Sequence, residues 1–176
     1  MTMEALKKHV RSIPDFPKEG IIFRDITTLL KKRDILEQAV EALAEPYRDV
    51  KVDQVVGIEA RGFILGGALA CELGAGFVPI RKSGKLPAAT LEKSYELEYG
   101  TDTLAVHRDA IDEGDRILMF DDLLATGGTM AASCAMVEEL RGDIIGCAFL
   151  IELDPLEGRT KIADYDILSL IHYDTA

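Results

Sequence analysis

Two adjacent carboxylates followed by a glycine-rich turn form the segment of this chain with the clearest chemistry. The segment Ile117–Thr129 reads ILMFDDLLATGGT, and Asp121 and Asp122 directly follow its apolar run. Two carboxylates repel a phosphate, so vicinal hydroxyls or Mg²⁺ are their better partners. The turn after them is suited to an anion instead. The segment therefore predicts a ligand that carries both hydroxyls and a phosphate, such as a sugar phosphate.

The Thr-Gly-Gly-Thr turn supplies the predicted phosphate site. Gly127 and Gly128 lack a Cβ atom, so the backbone can turn sharply and approach an anion closely. The amides from Ala125 to Thr129, with the hydroxyls of Thr126 and Thr129, would face outward at a helix N-terminus, where free N–H groups and the helix dipole favour phosphate. A capped helix beside a solvated acidic pair is the plain structural alternative. The combination of Asp-Asp with TGGT after a buried strand favours the ligand site.

The elements that must position these residues follow from hydrophobic periodicity, which alternates between strand and helix. Strands are predicted at Gln54–Ile58, Phe77–Ile80, Tyr95–Tyr99, Thr103–His107, Ile117–Phe120, Ile144–Glu152 and Asp166–Ile171. Helices are predicted at Met3–Ser12, Ile35–Tyr47, Phe63–Leu73 and Thr129–Leu140. The polar stretch Arg81–Lys93 predicts a mobile loop. We expect one α/β domain over residues 1–176, with a mainly parallel central sheet flanked by helices. In such sheets, ligands bind beyond the carboxyl ends of the strands, where the acidic pair falls.

Charge and cysteine content narrow the class of protein. The 176 residues include 20 Lys and Arg against 31 Asp and Glu, which gives a net charge of −11. Such a chain lacks the basic face that nucleic-acid binding requires, and its positive charge is concentrated in Lys31–Arg33 and Arg81–Lys85. Cys71, Cys134 and Cys147 match no zinc or CxxC spacing, which indicates reduced thiols. No stretch has membrane-spanning length and no secretory leader is evident. We therefore expect a cytoplasmic protein that binds neither nucleic acid nor a membrane.

The segment Ile117–Thr129 resembles the phosphoribosyl-diphosphate (PRPP) motif of the type I phosphoribosyltransferases. Further segments resemble the adenine-specific branch of that family, in the same order and over most of the chain. They are Pro14–Pro17, Gly20–Thr27, Gly57–Phe63, Gly76–Lys82, Gly84–Pro87 and Leu97–Asp102. The resemblance implies a small N-terminal hood formed largely by residues 1–33 and a flexible loop at about 81–107. It also implies the conversion of adenine and PRPP to AMP and diphosphate, with Mg²⁺ on the diphosphate, in a homodimer.

The resemblance assigns roles around PRPP. Asp121 and Asp122 would hold the ribose hydroxyls directly or through Mg²⁺, and the loop at 125–129 would hold the 5′-phosphate. Arg61 would act in catalysis by stabilising the leaving diphosphate, and a cis peptide is expected at Glu59–Ala60. The positions expected to contact PRPP or AMP are Glu59, Ala60, Arg61, Arg81, Lys82, Lys85, Tyr99, Asp121, Asp122, Ala125, Thr126, Gly127, Gly128 and Thr129. For the basic residues in 81–85, a solvated turn is the alternative.

The resemblance assigns the adenine site to the hood. Ile22, Phe23 and Arg24 match its base-binding residues, with Phe23 stacked on the purine and neighbouring backbone groups at its edge. Core packing is the alternative for Phe23. Glu98, beside Tyr99, matches a catalytic position that would donate a proton to, or stabilise, purine N7. As an isolated residue Glu98 could equally be an exposed strand glutamate.

Two other functions stay open on the sequence. The first is a phosphoribosyltransferase for another purine base, against which the segments at 22–24 and 97–100 argue. The second is a non-catalytic regulator that binds PRPP as a signal. The regulator would not need the base and diphosphate residues, and this chain carries no additional DNA-binding domain.

Overall fold

The computed structural model describes residues 3–97 and 100–175, so the predicted site residues Glu98 and Tyr99 lie outside the described residues. The strands are β1 (Arg11–Pro14), β2 (Ile22–Asp25), β3 (Gln54–Ile58), β4 (Gly76–Lys82), β5 (Thr90–Leu97), β6 (Gly100–His107), β7 (Arg116–Leu124), β8 (Asp143–Leu153) and β9 (Ile167–Tyr173). The α-helices are α1 (Met3–Lys7), α2 (Thr27–Leu30), α3 (Arg33–Ala44), α4 (Gly62–Leu73) and α5 (Gly128–Glu139). Short 3₁₀ segments cover Glu45–Tyr47, Asp154–Leu156 and Gly158–Ile162. Within the described ranges, no helix is long and apolar enough to cross a membrane.

The central sheet has seven strands in the order β5-β6-β4-β3-β7-β8-β9. The five strands from β4 to β9 in that order are parallel, whereas β5 and β6 pair antiparallel at one edge. The predicted fold class, a mainly parallel sheet flanked by helices, is confirmed. The carboxyl ends of β3, β4 and β7 lie side by side because these strands are neighbours, and the site residues follow them.

Hydrophobic cores cover both faces of the sheet, which explains the uninterrupted apolar run in β7. Leu118 and Phe120 pack into the core formed with α1, α3 and α4. Ile117 and Met119 point the other way, into the core formed with α5 and the β5–β6 hairpin. All four side chains are fully buried. The site loop that follows β7 is therefore anchored to a strand that is buried on both faces.

The N-terminal region differs from the prediction of a helix over Met3–Ser12. The helix ends at Lys7, and β1 pairs antiparallel with β2 to form a separate two-stranded sheet. Ile13 pairs with Phe23 across this hairpin. The prediction was wrong because strand pairing with residues eight to fourteen positions away outweighs local helical periodicity.

The segment after β4 also differs from the prediction. The stretch Arg81–Lys93 was expected to be a loop, but β4 continues to Lys82 and β5 begins at Thr90. Side chains of β5 alternate between more buried and exposed positions from Leu91 to Tyr95, and the strand pairs with β6 along its length. The irregular part is thus limited to residues 83–89. The sequence did not predict the first half of β5 because an alternation of hydrophobic and polar residues is hard to recognise when an inward position is Lys93.

Candidate active site

The acidic pair lies inside β7, which extends to Leu124 and not only to the predicted Phe120. Asp121 lines a small depression together with the last two residues of β7, the loop residues 125–127, Thr129 and Met130. Its Oδ1 accepts a hydrogen bond from the backbone N–H of Asp122 at 2.9 Å. A Cβ atom on Gly62, the first residue of α4, would lie 2.8 Å from the same oxygen. Asp121 is therefore held between β7 and the start of α4, beside the predicted phosphate loop.

The loop from β7 to α5 has the shape of an anion site. Gly127 has a φ of 76°, in the left-handed region that favours glycine. Helix α5 begins at Gly128, and Thr126 and Thr129 line the depression beside Asp121. The twelve-residue helix thus presents its N-terminus to the same space as the two threonine side chains. The structure places Ala125 to Thr129 together as the sequence predicts.

Gly158 is a site-forming residue that sequence reasoning missed. A Cβ atom on Gly158 would lie 2.2 Å from the Ala125 carbonyl oxygen and 3.0 Å from the Gly127 nitrogen. In return, a Cβ on Gly127 would lie 2.3 Å from the Gly158 carbonyl oxygen. The two backbones are in close contact, so the turn at Gly158 supports the predicted phosphate loop from behind. No local pattern in the sequence signals a contact between segments thirty residues apart.

Arg61 connects the acidic pair to the hood. Its Nε donates a hydrogen bond of 2.6 Å to Asp122 Oδ2, and its Nη2 contacts the same oxygen. Its guanidinium carbon lies 5.0 Å from the centre of the Phe23 ring, within cation–π range. The peptide bond between Glu59 and Ala60 is cis, as expected. Arg61 thus stands between β7 and the hood, with its side chain about one third exposed.

Electrostatics in the acidic pair reflect its burial. Burial, followed by the adjacent Asp122 charge, raises the pKa of Asp121 well above its ordinary value. Burial also raises the pKa of Asp122, against the opposing effect of the Arg61 guanidinium. A cation or hydroxyl donors bound here would stabilise the charged forms of these two neighbouring carboxylates.

The predicted basic residues lie at the carboxyl end of β4, next to the cis peptide at the end of β3. Arg81 Nε donates to Glu59 Oε2 at 2.7 Å, and Arg81 Nη1 lies 3.4 Å from the Lys85 carbonyl oxygen. Lys82 forms an ion pair of 2.8 Å with Asp102 of β6. Lys85 is exposed. The structure therefore gathers Glu59, Arg81 and Lys85 beside the site.

The hood residues separate into two groups. Phe23 lies toward Arg61 and contacts Phe16 edge-to-face at 5.3 Å, whereas Ile22 is partly buried at the start of β2. Arg24 is buried and points elsewhere. Its side chain donates to Ser12 Oγ at 2.6 Å and to the Thr175 carbonyl oxygen at 2.9 Å. Any contact of Arg24 with a base therefore involves its backbone.

Among the described residues, three potential metal ligands meet elsewhere, at the ends of β8 and β9. Atoms of Glu152, Asp154 and His172 lie within 4.8 Å of one another. Glu152 accepts from Arg159 at 2.7 Å, and His172 Nδ1 lies 2.8 Å from Asp154 Oδ1. This group is already an ion-paired network and contains neither member of the predicted acidic pair.

Comparison with known proteins identifies the family. The model of the phosphoribosyl transferase domain matches residues 26–175. The adenine phosphoribosyltransferase of Acidobacterium capsulatum is 58% identical over 170 residues, which cover 97% of this chain and 94% of that protein. The chain belongs to the adenine phosphoribosyltransferase family.

Solved structures of adenine phosphoribosyltransferases share this architecture. The Rhodothermus marinus enzyme superposes with a TM-score of 0.93 at 52% identity, covering 97% of this chain and 98% of the other. The Saccharomyces cerevisiae enzyme, crystallised with adenine and an imino-altritol bisphosphate, gives a TM-score of 0.91 at 38% identity, covering 96% and 97%. The domain model begins at Ile26, after the β1–β2 hairpin. The full-length adenine phosphoribosyltransferase relatives nevertheless cover nearly the whole chain, hood included.

Proposed function

We propose that this protein transfers the 5-phosphoribosyl group of PRPP to N9 of adenine, forming AMP and diphosphate. The observation that carries the proposal is the position of Arg61, whose guanidinium contacts Asp122 on one side and the Phe23 ring on the other. The proposed ribose site at Asp122 and the proposed base site at Phe23 are therefore both in contact with the Arg61 guanidinium. Family membership adds the expectation that the base is adenine, and AMP formation from adenine places the reaction in purine salvage.

PRPP would bind along the carboxyl ends of β3, β4 and β7. The loop at 125–129 would hold the 5′-phosphate through its amides and the hydroxyls of Thr126 and Thr129. Asp121, with Asp122, would hold the ribose hydroxyls. Fixing these remote groups positions the anomeric carbon for attack, which is a proximity contribution to the rate.

Departure of diphosphate requires stabilisation of the charge that develops on it. Arg61 lies nearest to the acidic pair, and Arg81, Lys82 and Lys85 extend the positive charge outward. Glu59 orients Arg81 through their 2.7 Å hydrogen bond. Residues 83–89, which carry Lys85, connect β4 to the edge strand β5 and would cover the diphosphate. The ribose then acquires oxocarbenium character while its 5′-phosphate stays fixed in the loop.

The residues present fit Mg²⁺. Asp121 and Asp122 supply hard carboxylate oxygens, the ligands that Mg²⁺ prefers, and burial beside the Asp122 charge raises the pKa of Asp121. Asp121 is the better candidate because Asp122 already pairs with Arg61. Bound together with the diphosphate, the ion would neutralise charge on the leaving group.

Adenine would stack on Phe23, with backbone groups of Ile22 to Arg24 at its edge. An apolar slot with few polar contacts is the usual solution for such a base. Glu98 would hold or donate a proton at N7 as N9 loses its own, and Tyr99 would contact the nucleotide. These last two roles are inferred from the resemblance alone.

The protein is proposed to act as a homodimer in the cytoplasm. Ile64 on the outer side of α4 is 51% exposed in the single chain, which suggests that a partner covers this face. The cysteines Cys71, Cys134 and Cys147 are free thiols, which supports a reducing compartment. Sedimentation of a dilute sample tests the oligomeric state.

The decisive test is formation of AMP from PRPP and Mg²⁺ with adenine, run in parallel with hypoxanthine and guanine. We expect product from adenine alone. Product from another base would move the specificity away from adenine. PRPP binding without any product would instead indicate a regulator.

A further inference from the structure

A basic cleft lies at the base of the hood, between the end of α1 and the junction of α2 with α3. Its volume is about 270 Å³. The lining residues are Lys8, His9, Val10, Arg11, Thr28, Lys31 and Lys32. None of them belongs to the proposed PRPP or adenine site. The cleft includes two residues of the basic run Lys31–Arg33, which the proposed reaction leaves without a role.

Contacts between the lining residues fix the floor of the cleft. Thr28 Oγ1 donates a hydrogen bond of 2.6 Å to the His9 carbonyl oxygen, which joins α2 to the segment between α1 and β1. Lys32 Nζ lies 3.2 Å from His9 Nδ1 and can donate to it. Arg11 Nε donates to Asp25 at 3.0 Å. The cleft is therefore built from three elements held together and is not a row of independent surface lysines.

The charge of the cleft is opposite to that of the whole chain. Four lysine or arginine side chains line it, and the lining includes no carboxylate, although the chain carries a net charge of −11. Arg11 is paired with Asp25 from outside the lining. Like charges gathered around one concave space repel each other, and an anion within it removes that repulsion.

The dimensions and lining select the class of anion. A volume of about 270 Å³ lies just below the range of about 300–1,000 Å³ typical of pockets for drug-sized ligands. The lining has no Phe, Tyr or Trp ring on which a nucleic-acid base could stack, and its imidazole, that of His9, lies 3.2 Å from the Lys32 ammonium group. Lysine ammonium groups bind phosphate as point charges. A compact group with several negative charges fits best.

We propose that this cleft binds a compact polyphosphate anion, separately from the PRPP site. Free inorganic polyphosphate and the phosphate chain of a nucleotide share the required chemistry. In either case Lys8, Lys31 and Lys32 supply the main attraction, and Arg11 contributes from beside its ion pair with Asp25.

The test is an NMR titration of the full chain with inorganic triphosphate while AMP saturates the active site. Amide shifts report where the anion binds, so binding in the cleft is distinguished from binding beside β7. We expect saturable shifts at residues 8–11 and 28–32. Titration with a nucleoside triphosphate should give the same shifts with similar affinity, because the phosphate chain is what the cleft recognises.

The matched variants are Lys31→Gln/Lys32→Gln in the cleft and Lys51→Gln/Lys161→Gln elsewhere on the surface. One unit charge at 4 Å in water corresponds to about a fivefold change in affinity, so the cleft variant should bind triphosphate about 25-fold more weakly. The control removes the same total charge and should bind as the wild type does. Both variants should form AMP at the wild-type rate.

Three results would overturn the proposal. Shifts confined to residues 59–61, 81–85 and 121–130 would mean that the anion binds only in the active site. If the control variant lost as much affinity for triphosphate as the cleft variant, the effect would come from net charge and not from the cleft. Binding of the nucleoside triphosphate without binding of inorganic triphosphate would assign the cleft to a different ligand class. Because AMP formation is measured separately, failure of the proposed reaction would not be confused with failure of this site.

Discussion

Gly158→Ala should disable the proposed phosphate loop at residues 125–129, although Gly158 makes none of the proposed ligand contacts. The added methyl group would lie 2.2 Å from the Ala125 carbonyl oxygen, whereas ordinary contact begins at 3.4 Å. Gly158 does not have a left-handed φ, so alanine brings no backbone strain and the effect is steric. The loop must therefore shift by about 1 Å, because the opposing atoms belong to backbone.

Both activity and stability should fall. A displacement of about 1 Å in a positioned group can cost about 100-fold in rate, which corresponds to about 2.7 kcal/mol. We therefore expect kcat/KM for PRPP to fall about 100-fold. Overpacking of this kind typically costs about 1–3 kcal/mol of stability, or roughly 2–4 °C in Tm for each kcal/mol. Steady-state kinetics and thermal unfolding measure the two effects on one preparation.

Gly142→Ala is the matched control at the other end of α5. Its methyl group would lie 2.8 Å from Val137 Cγ1 and 3.0 Å from Ile117 Cγ1, far along the helix from the loop. It should lower Tm by a similar amount and leave the KM for PRPP unchanged. An unchanged KM and kcat in Gly158→Ala would refute the reasoning, as would an equal loss of activity in both variants.

Three further predictions concern the proposed site. Arg61→Ala should lower turnover about 100- to 1,000-fold and change the KM for adenine far less, since the lost charge stabilises the leaving group; steady-state kinetics with each substrate varied would show the opposite pattern if Arg61 mainly binds the base. Phe23→Leu should raise the KM for adenine about three- to tenfold through the lost ring contact and leave the KM for PRPP unchanged, whereas an unchanged KM for adenine would assign Phe23 to packing. Asp121→Asn should abolish most activity and yet raise the free energy of unfolding at pH 7 by about 0.5–2 kcal/mol, which would appear as a higher Tm. The raised pKa of Asp121 means that its charged form destabilises the fold above the pKa, so thermal unfolding should show this gain shrinking as pH falls toward 3.8, and a lower Tm for the variant at pH 7 would contradict it.

The sequence predicted the structure correctly where a short segment sets its own backbone geometry. The buried run Ile117–Phe120 and the TGGT turn lie within thirteen consecutive residues, so their order alone placed them on a strand and at a helix start, although the strand continues through the Asp-Asp pair to Leu124. Each of those assignments depends on backbone geometry that a short segment sets for itself. The alternation of strand and helix predicted the mainly parallel sheet for the same reason.

The elements that the sequence did not predict correctly depend on contacts between residues that are distant in the sequence. Arg11 and Ser12 carry no strand pattern strong enough to oppose the predicted helix, and pairing with β2 makes them extended. The edge strand at Thr90–Leu97 likewise depends on β6. Arg24 matches the base-binding segment in sequence, but β2 alternates its side chains, which turns Phe23 toward Arg61 and Arg24 toward Thr175.

By itself, the sequence determined the type of sheet and the order of the acidic pair, the glycine turn and the helix start, because these depend on neighbours along the chain. The tertiary structure alone decided that Gly158 supports the loop, that Arg61 joins Asp122 to Phe23, and that Lys8, Arg11, Lys31 and Lys32 surround one cleft. Those contacts join segments from about twenty to sixty residues apart. Packing energy sets them, and no local propensity encodes which distant backbone or side chain will fill a given space.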